Sequence, residues 1–364
     1  MYRVDPDQLL LERDIFFEQL NFQFVVVVAN AKAAELEGHG GSPSMNIVGM
    51  ILSQACCQST PKTPVERLPP PRGPDCGSAI MRRMNAIYKT VGVVGAGAMG
   101  RGIAQIAAQA GSHVKLFDMQ AAALAQAIDA VQKQWDKLAE KQRISPDQAH
   151  QYKQSIQAVN QLSDLADCDL VIEAIVERLD IKKSFFSELE GLVQPSTVLV
   201  TNTSSLSVTA IASALKRPEQ FAGYHFFNPV PLMKVVEVIA GIKTQPAICQ
   251  DLAAYARQMG HQAVQAQDTP GFIVNHAGRG YGTEALRIVS EGIADFATID
   301  RILKDQVGFK LGPFELMDLT ALDVSHPVME SIYQQYYDEP RYRPSIITAQ
   351  RLAGGIVGKK VGEG

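Results

Sequence analysis

The stretch Ile87–Gly100, which reads IYKTVGVVGAGAMG, decides the fold class of this chain. Its first half is rich in apolar and β-branched residues, which favour a buried strand. Gly95, Gly97 and Gly100 follow with the spacing GxGxxG, and a helical pattern begins at once in Arg101–Ala110. A strand that runs through this spacing into a helix is typical of a turn that binds the phosphates of a dinucleotide.

Each glycine of this turn has its own physical role. Gly95 permits the tight turn, Gly97 lets the backbone approach a pyrophosphate, and Gly100 lets the helix pack closely on the strand. Free amides and the dipole at the helix N-terminus favour an anion there. We therefore predict that the whole loop contacts the cofactor, through Gly95, Ala96, Gly97, Ala98, Met99 and Gly100. A glycine-rich turn without a ligand is the structural alternative.

A second strand, Val114–Asp118, follows the helix and ends in a carboxylate. Gly111 stands between helix and strand, at the position expected of a helix C-cap. A carboxylate about 20 residues beyond the glycines accepts hydrogen bonds from the adenine ribose and repels a 2′-phosphate. Asp118 is followed by Met119 and Gln120, so no arginine stands directly after it to bind a 2′-phosphate. The pattern predicts NAD rather than NADP.

The next segments predict a helical hairpin. Apolar residues at steps of three and four form the stripe of one long helix: Leu124, Ile128, Val131, Trp135 and Leu138. Ser145 and Pro146 suit the N-cap and first position of a second helix. Trp135 lies on the stripe, so we expect it to pack in the core rather than against a ligand.

Short apolar runs then predict the remaining strands: Ile156–Val159, Leu170–Ala174, Thr197–Thr201, Phe221–His225, Val235–Ile239 and Ala263–Ala266. A helix near Lys182–Leu192 separates two of them. After Pro270 the pattern becomes helical. We predict an α/β fold: a Rossmann-type NAD-binding domain with a helical hairpin insertion over residues 86–269, then an all-α C-terminal domain over 270–364 for dimerisation or substrate binding.

Residues 1–85 differ from the rest of the chain. Glycine- and proline-rich stretches, 38–43 and 61–74, break regular structure. We interpret the segment as a largely disordered extension, an artefact of translation upstream of the real start. Met81 and Met84 precede the first domain strand and would be natural starts. A regulatory arm is the alternative.

Composition excludes several classes of function. The 364 residues are 46% hydrophobic and 20% charged, as in ordinary globular proteins, and a net charge of −4 gives no electrostatic case for nucleic acid or an anionic membrane. No run approaches the roughly 18 apolar residues of a membrane helix. The mixed charges near the N-terminus argue against a secretory or mitochondrial signal. The five cysteines lack metal-type spacing. We expect a cytoplasmic protein without a metal site.

A histidine and a glutamate indicate acid–base chemistry downstream of the cofactor motif. His225 can take a proton from a substrate hydroxyl, and Glu237 can hold the other ring nitrogen and stabilise the imidazolium. Such a contact is often only structural. Its place after a dinucleotide signature favours proton abstraction coupled to hydride transfer.

The ordered motifs together resemble those of the L-3-hydroxyacyl-CoA dehydrogenases. Besides the glycine loop they are EAIVE at 173–177 with Lys182, NTSS at 202–205, HFFNP at 225–229 with Glu237, DTPGFIVN at 268–275, GPFEL at 312–316 and GKK at 358–360. The resemblance runs from about Val91 to the chain end. It implies NAD-dependent oxidation of a 3-hydroxyacyl-CoA to a 3-oxoacyl-CoA. Within the family the chain is most similar to the 3-hydroxybutyryl- or 3-hydroxyadipyl-CoA enzymes of phenylacetate degradation, which Thr201 and Arg341–Ser345 support.

The resemblance also implies roles for single residues. His225 is then the base and Glu237 its orienting partner, while Ser204 and Asn275 bind the C3 oxygen or the thioester region. Both of the latter have an alternative role as helix caps. Four further residues match positions near the nicotinamide or its ribose: Glu177, Lys182, Asn228 and Lys360. Glu177 and Lys182 are five residues apart, a poor spacing for an intrahelical pair, which favours a ligand role.

Two other functions stay open. One is a dehydrogenase acting on a free hydroxy acid or sugar acid without CoA. The other is a non-catalytic or impaired NAD-binding protein. The extension at one end motivates the second, as does the stop at Gly364, where family members continue. We therefore expect a truncated C-terminal domain, and the resemblance implies a homodimer formed through it.

Overall fold

A computed structural model describes residues 86–364 of the chain, so the predicted extension over residues 1–85 lies outside the described residues. Eight strands form one sheet: β1 (Thr90–Val94), β2 (His113–Phe117), β3 (Ile156–Val159), β4 (Leu170–Glu173), β5 (Val198–Thr201), β6 (Phe221–Phe226), β7 (Val235–Ala240) and β8 (Gln262–Gln267). Their order across the sheet is β3-β2-β1-β4-β5-β6-β7-β8.

The sheet is parallel except where β6 meets β7. Strands β4 and β5 are buried along their whole length, which explains their continuous apolar runs. The chain runs from β1 to β2 and β3 on one side, then returns to β4 on the other side of β1. Such a switch point opens a crevice at the carboxyl ends of the strands, where ligands bind in folds of this kind.

Helices cover the sheet and continue beyond it. Of the α-helices within residues 86–364, six belong to the sheet-forming part: α1 (Ala98–Gln109), α2 (Ala121–Glu140), α3 (Pro146–Gln154), α4 (Leu179–Leu192), α5 (Val208–Ala212) and α6 (Pro246–Gln258). Five follow the last strand: α7 (Val274–Ser290), α8 (Phe296–Asp305), α9 (Pro313–Thr320), α10 (Leu322–Gln335) and α11 (Ile346–Ala353). The predicted α/β class with a helical C-terminal region is confirmed.

The predicted hairpin is formed by α2 and α3. Ser145 caps α3 as expected, since its side chain accepts a hydrogen bond from the Gln148 amide, 3.1 Å long, and Pro146 occupies the first turn. Trp135 is fully buried on the apolar stripe of α2, so its predicted role in the core is confirmed. Helix α4 begins at Leu179, earlier than predicted, because its first turn is partly exposed and carries little apolar signal.

The helices after β8 have a small core of their own. It contains Leu286, Met317, Leu322, Met329 and Val357. Within residues 86–364, no helix combines the length and the apolar character needed to cross a membrane.

Candidate active site

The glycine loop lies between β1 and α1, at the switch point of the sheet. A Cβ on Gly95 would lie 2.4 Å from the carbonyl oxygen of Ala174, and one on Gly100 would lie 1.8 Å from that of Gly95. Gly95 also has a φ of +102°, a backbone conformation that residues with a side chain rarely adopt. A Cβ on Gly97, in contrast, would meet nothing within 4 Å. Two glycines are therefore required by packing, and the third leaves space beside the loop.

The space at Gly97 suits a pyrophosphate. Gly97 is the N-cap of α1 and provides no side-chain cap, so the first amides of the helix are left for an anion. The loop is held rigidly on the opposite side, where Asp118 accepts a hydrogen bond from the Ala96 amide, 2.7 Å long. The second carboxylate oxygen of Asp118 binds the Gln120 amide over 2.8 Å. Each oxygen keeps a lone pair for a ribose hydroxyl. The residues present fit NAD.

His225 and Glu237 face each other across β6 and β7, where they are directly paired in the antiparallel ladder. The distance from His225 Nδ1 to Glu237 Oε2 is 2.7 Å, and both side chains are buried. A carboxylate only accepts hydrogen bonds, so the contact places the ring proton on Nδ1. Nε2 is then the nitrogen whose lone pair can receive a proton.

The geometry of this pair is fixed from several sides. The other oxygen of Glu237 accepts hydrogen bonds from the amides of Ile273 and Val274, each 2.9 Å long, at the start of α7. The imidazole lies between Phe227 and Phe272, with ring centroids 4.5 and 5.8 Å away. Glu237 therefore joins the sheet to the first C-terminal helix, and orients His225 at the same time.

The loop that carries Ser204 is anchored by Glu177. One oxygen of Glu177 accepts from the Thr203 hydroxyl over 2.6 Å, from the Ser204 amide over 2.9 Å and from the Ser205 hydroxyl over 3.1 Å. Burial would raise the pKa of Glu177, but the charge of Lys182 and the bonds from this loop outweigh it and lower that pKa. The Glu177 carboxylate is therefore ionised at neutral pH.

Asn275 contacts the same loop from the first turn of α7. Its Nδ2 donates to the backbone carbonyl of Ser204 over 3.3 Å. The N-cap of α5 is Ser207, whose side chain accepts from Ala210, and not Ser204. Asp268 reinforces that cap by accepting from the amides of α5. The structure thus brings Ser204, in the loop that follows β5, together with Asn275, in the first turn of α7.

Lys182 has a different environment from the one its sequence position suggests. Its ammonium lies 2.5 Å from Glu173 and 3.3 Å from Glu177, and the side chain is 1% exposed. Glu177 precedes α4, so the two residues pair across the start of the helix and not within it, and the ligand role that their poor intrahelical spacing favoured stays a prediction. Lys182 is buried beneath the Glu177 carboxylate, which is the more exposed of the two.

Sequence reasoning gave no role to Glu173. This carboxylate is fully buried at the end of β4, and it also binds the Thr201 hydroxyl over 2.7 Å and the Ile175 amide over 2.7 Å. Asn202 was likewise given no role, and its side chain accepts from the Phe226 amide over 2.8 Å. Glu173 ends a parallel strand and Asn202 follows one, as Asp118 does. This position in the sequence could have indicated that both residues lie near the site.

Two predicted cofactor residues, Lys360 and Asn228, are exposed. Lys360 is exposed and pairs with Asp323 of α10 at 2.5 Å. Asn228 is exposed in the loop that follows β6. Their proposed proximity to the nicotinamide stays a prediction. Among residues 86–364, no group of three or more metal-binding side chains is present.

Two family models match the chain. The model described as "3-hydroxyacyl-CoA dehydrogenase, NAD binding domain" matches residues 90–269, and that of the C-terminal domain of the same family matches residues 271–364. The two matches together span nearly all of the described residues, including those of the site.

Similar proteins carry related names. A 3-hydroxyadipyl-CoA dehydrogenase of Escherichia coli is 41% identical over 276 residues, which are 76% of this chain and 58% of that protein. A probable 3-hydroxybutyryl-CoA dehydrogenase of Deinococcus radiodurans is 40% identical over 273 residues, 75% of this chain and 98% of that protein. The chain thus spans little more than half the length of the first relative and nearly all of the second.

A solved structure agrees with this relationship. The crystal structure of (S)-3-hydroxybutyryl-CoA dehydrogenase from Ralstonia eutropha is 34% identical with a TM-score of 0.74, and the match covers 76% of this chain and 98% of that one.

Proposed function

This chain belongs to the 3-hydroxyacyl-CoA dehydrogenase family, and on that premise we propose that it oxidises the C3 hydroxyl of an (S)-3-hydroxyacyl-CoA to the 3-oxoacyl-CoA with NAD. The observation that carries the proposal is the 2.7 Å contact of His225 with Glu237. That contact leaves one imidazole nitrogen as a base in a protein whose glycine loop fits the cofactor.

The chemistry of the oxidation requires a base at the hydroxyl. NAD supplies the hydride acceptor when bound. His225 Nε2 takes the hydroxyl proton while the C3–H bond breaks with its electron pair and the C3–O bond becomes a carbonyl. Glu237 stabilises the imidazolium that forms, and its two amide hydrogen bonds hold it in place. General base catalysis of this kind contributes about 10²–10⁴-fold to the rate.

Ser204 and Asn275 would hold the reacting oxygen. The Asn275 side chain donates to the Ser204 backbone carbonyl over 3.3 Å, so the two residues lie next to each other on adjoining elements. A hydroxyl and an amide there can bind the C3 oxygen or the thioester region and so fix the C3–H bond. Glu177 would anchor this loop and lie on the nicotinamide side.

The acyl group of the substrate, the pathway and the oligomeric state are further parts of the proposal. We propose 3-hydroxybutyryl- or 3-hydroxyadipyl-CoA as the substrate, since two relatives that are 41% and 40% identical bear those substrate names. We further propose that the reaction belongs to fatty acid or phenylacetate degradation in the cytoplasm. We also propose a homodimer formed through residues 270–364. Sedimentation at about twice the chain mass of 39.6 kDa would support the dimer, and sedimentation at the single mass would exclude it.

NADH oxidation with different acceptors tests the proposed function. We expect turnover of acetoacetyl-CoA and much slower turnover of free acetoacetate. The reverse preference would favour a dehydrogenase of free hydroxy acids. A folded protein that binds NADH and reduces neither acceptor, nor 3-oxoadipyl-CoA, would establish the non-catalytic alternative.

A further inference from the structure

Arg279 carries a buried guanidinium nitrogen without a partner. Its Nη1 atom is shielded from solvent, and no acceptor among the described residues lies within hydrogen-bond distance. The guanidinium donates a hydrogen bond from Nε to the backbone carbonyl of Asn275, 3.1 Å long. Buried polar groups almost always have partners, because an unpaired charge costs free energy. The unpaired nitrogen therefore indicates that something outside the chain completes it.

The guanidinium lies beside the proposed acyl site. Arg279 and Asn275 are four residues apart on α7, so their side chains share one face. The bond from Nε to the Asn275 carbonyl carries the guanidinium back toward the N-terminus of α7. That end of the helix contains the amides bound by Glu237, the partner of His225. Arg279 thus reaches to within about one helical turn, roughly 5–6 Å, of the residue assigned to the C3 oxygen.

The charge of Arg279 is uncompensated. Within residues 86–364, no ion pair includes it, whereas Arg287, two turns further along α7, pairs with Glu284 at 3.7 Å. Burial lowers the pKa of the Arg279 guanidinium. Arginine binds carboxylates through parallel N–H bonds better than any other side chain. The chemistry of the missing partner is therefore anionic.

We propose that Arg279 binds a carboxylate at the far end of the acyl chain, so that the substrate is the CoA ester of a dicarboxylic acid, as in 3-hydroxyadipyl-CoA. This inference rests on the proposed function. Three C–C bonds of about 1.5 Å separate C3 of an adipyl chain from its terminal carboxyl carbon. That separation is comparable to one turn of α7, the distance between Asn275 and Arg279. A butyryl chain ends one carbon beyond C3 and leaves the guanidinium unpaired.

The test compares two acceptors and two arginines of the same helix. NADH-dependent reduction of 3-oxoadipyl-CoA and acetoacetyl-CoA is measured for the parent, for Arg279→Met and for the control Arg287→Met, whose arginine is exposed. Loss of one charge-assisted pair should lower kcat/KM for 3-oxoadipyl-CoA by about 10- to 100-fold in Arg279→Met, chiefly through KM. In the same variant, kcat/KM for acetoacetyl-CoA should change by less than about threefold. Arg287→Met should have the kcat/KM of the parent for both acceptors.

Other outcomes contradict the assignment. Equal losses on both acceptors would show that Arg279 is structural, and equal losses with a changed oligomeric state would assign its partner to a second copy of the chain. If Arg279→Met does not fold, the parent is assayed with 3-oxoadipyl-CoA and its terminal methyl ester. The kcat/KM of the parent for the methyl ester should be lower than that for 3-oxoadipyl-CoA by a similar factor. Equal kcat/KM values for the two compounds would overturn the inference. A parent that reduces neither CoA ester refutes the proposed function itself, which is a distinct result.

Discussion

At the scale of single residues, the glycines of the nucleotide loop fall into two kinds. Gly95 and Gly100 lie against backbone carbonyl oxygens, so any side chain there would displace the loop or α1. Gly97 borders open space, and its small size has no reason in the packing of the chain itself. The cofactor provides that reason, since a side chain at Gly97 would occupy the space left for the pyrophosphate.

Two alanine substitutions should therefore affect different properties, one the affinity for NADH and the other the stability of the fold. Gly97→Ala should keep the melting temperature of the parent and weaken NADH binding by about 10-fold, since the pyrophosphate can no longer approach the backbone. Gly100→Ala should lower the melting temperature, because its Cβ would lie 1.8 Å from the Gly95 carbonyl. Thermal unfolding and NADH fluorescence titration measure the two effects. Unchanged NADH affinity in Gly97→Ala would refute this location of the phosphates.

The ionised state of Glu177 gives a pH-dependent prediction. Its pKa in the folded protein is below the usual 4.5, so its contribution to stability is present above pH 4.5 and is lost as pH falls through the folded pKa. Glu177→Gln should thus have a lower melting temperature than the parent at pH 7. The difference should shrink in acid, below pH 4.5. A difference that stays constant or grows on acidification would show that the anchoring of the 203–205 loop does not depend on the charge.

At the scale of elements, a buried ion pair connects β4 with α4. Glu173 and Lys182 are 2.5 Å apart and are both inaccessible to solvent. Removing one partner of such a pair leaves an uncompensated charge in the interior, whereas replacing both with apolar residues removes the problem. The pair lies directly beneath Glu177, and so beneath the loop of Ser204.

A double-mutant cycle tests this pair. Lys182→Met should lower the free energy of unfolding by about 3–5 kcal/mol, because it leaves the buried Glu173 carboxylate without a cation, and the added Glu173→Leu should recover most of that loss. The exposed pair of Arg178 and Asp180 provides the control, since Asp180→Asn should leave the free energy of unfolding almost unchanged. Urea unfolding gives all of these values. A single Lys182→Met change as mild as the control would mean that the interior stabilises the Glu173 carboxylate by other means.

Whether the sequence could predict a feature depends on whether that feature is local to one element or arises from the packing of several elements. Strands such as β4 and β5 were predictable because their apolar runs are local features. The pairing of Glu173 with Lys182 was not, because it depends on how α4 packs on β4. His225 and Glu237 were identified by chemical type, but their contact depends on the antiparallel register of β6 and β7. The unpaired state of Arg279 likewise has no signature in the sequence.

At the scale of the whole molecule, every residue assigned to the site lies within residues 86–364. We expect a chain begun at Met84 to have the same kcat and the same KM for acetoacetyl-CoA as the full-length chain. Parallel steady-state assays of the two proteins test this expectation. Loss of activity in the shorter chain would assign a functional role to residues 1–83, as the regulatory-arm interpretation requires.

The central claim is that His225 is the base, and one comparison tests it most directly. His225→Gln is assayed for acetoacetyl-CoA reduction and titrated with NADH. We predict that turnover falls by about 10²–10⁴-fold while NADH affinity stays near that of the parent, because His225 contacts Glu237 and not the glycine loop. Turnover within a few-fold of the parent would contradict the assignment.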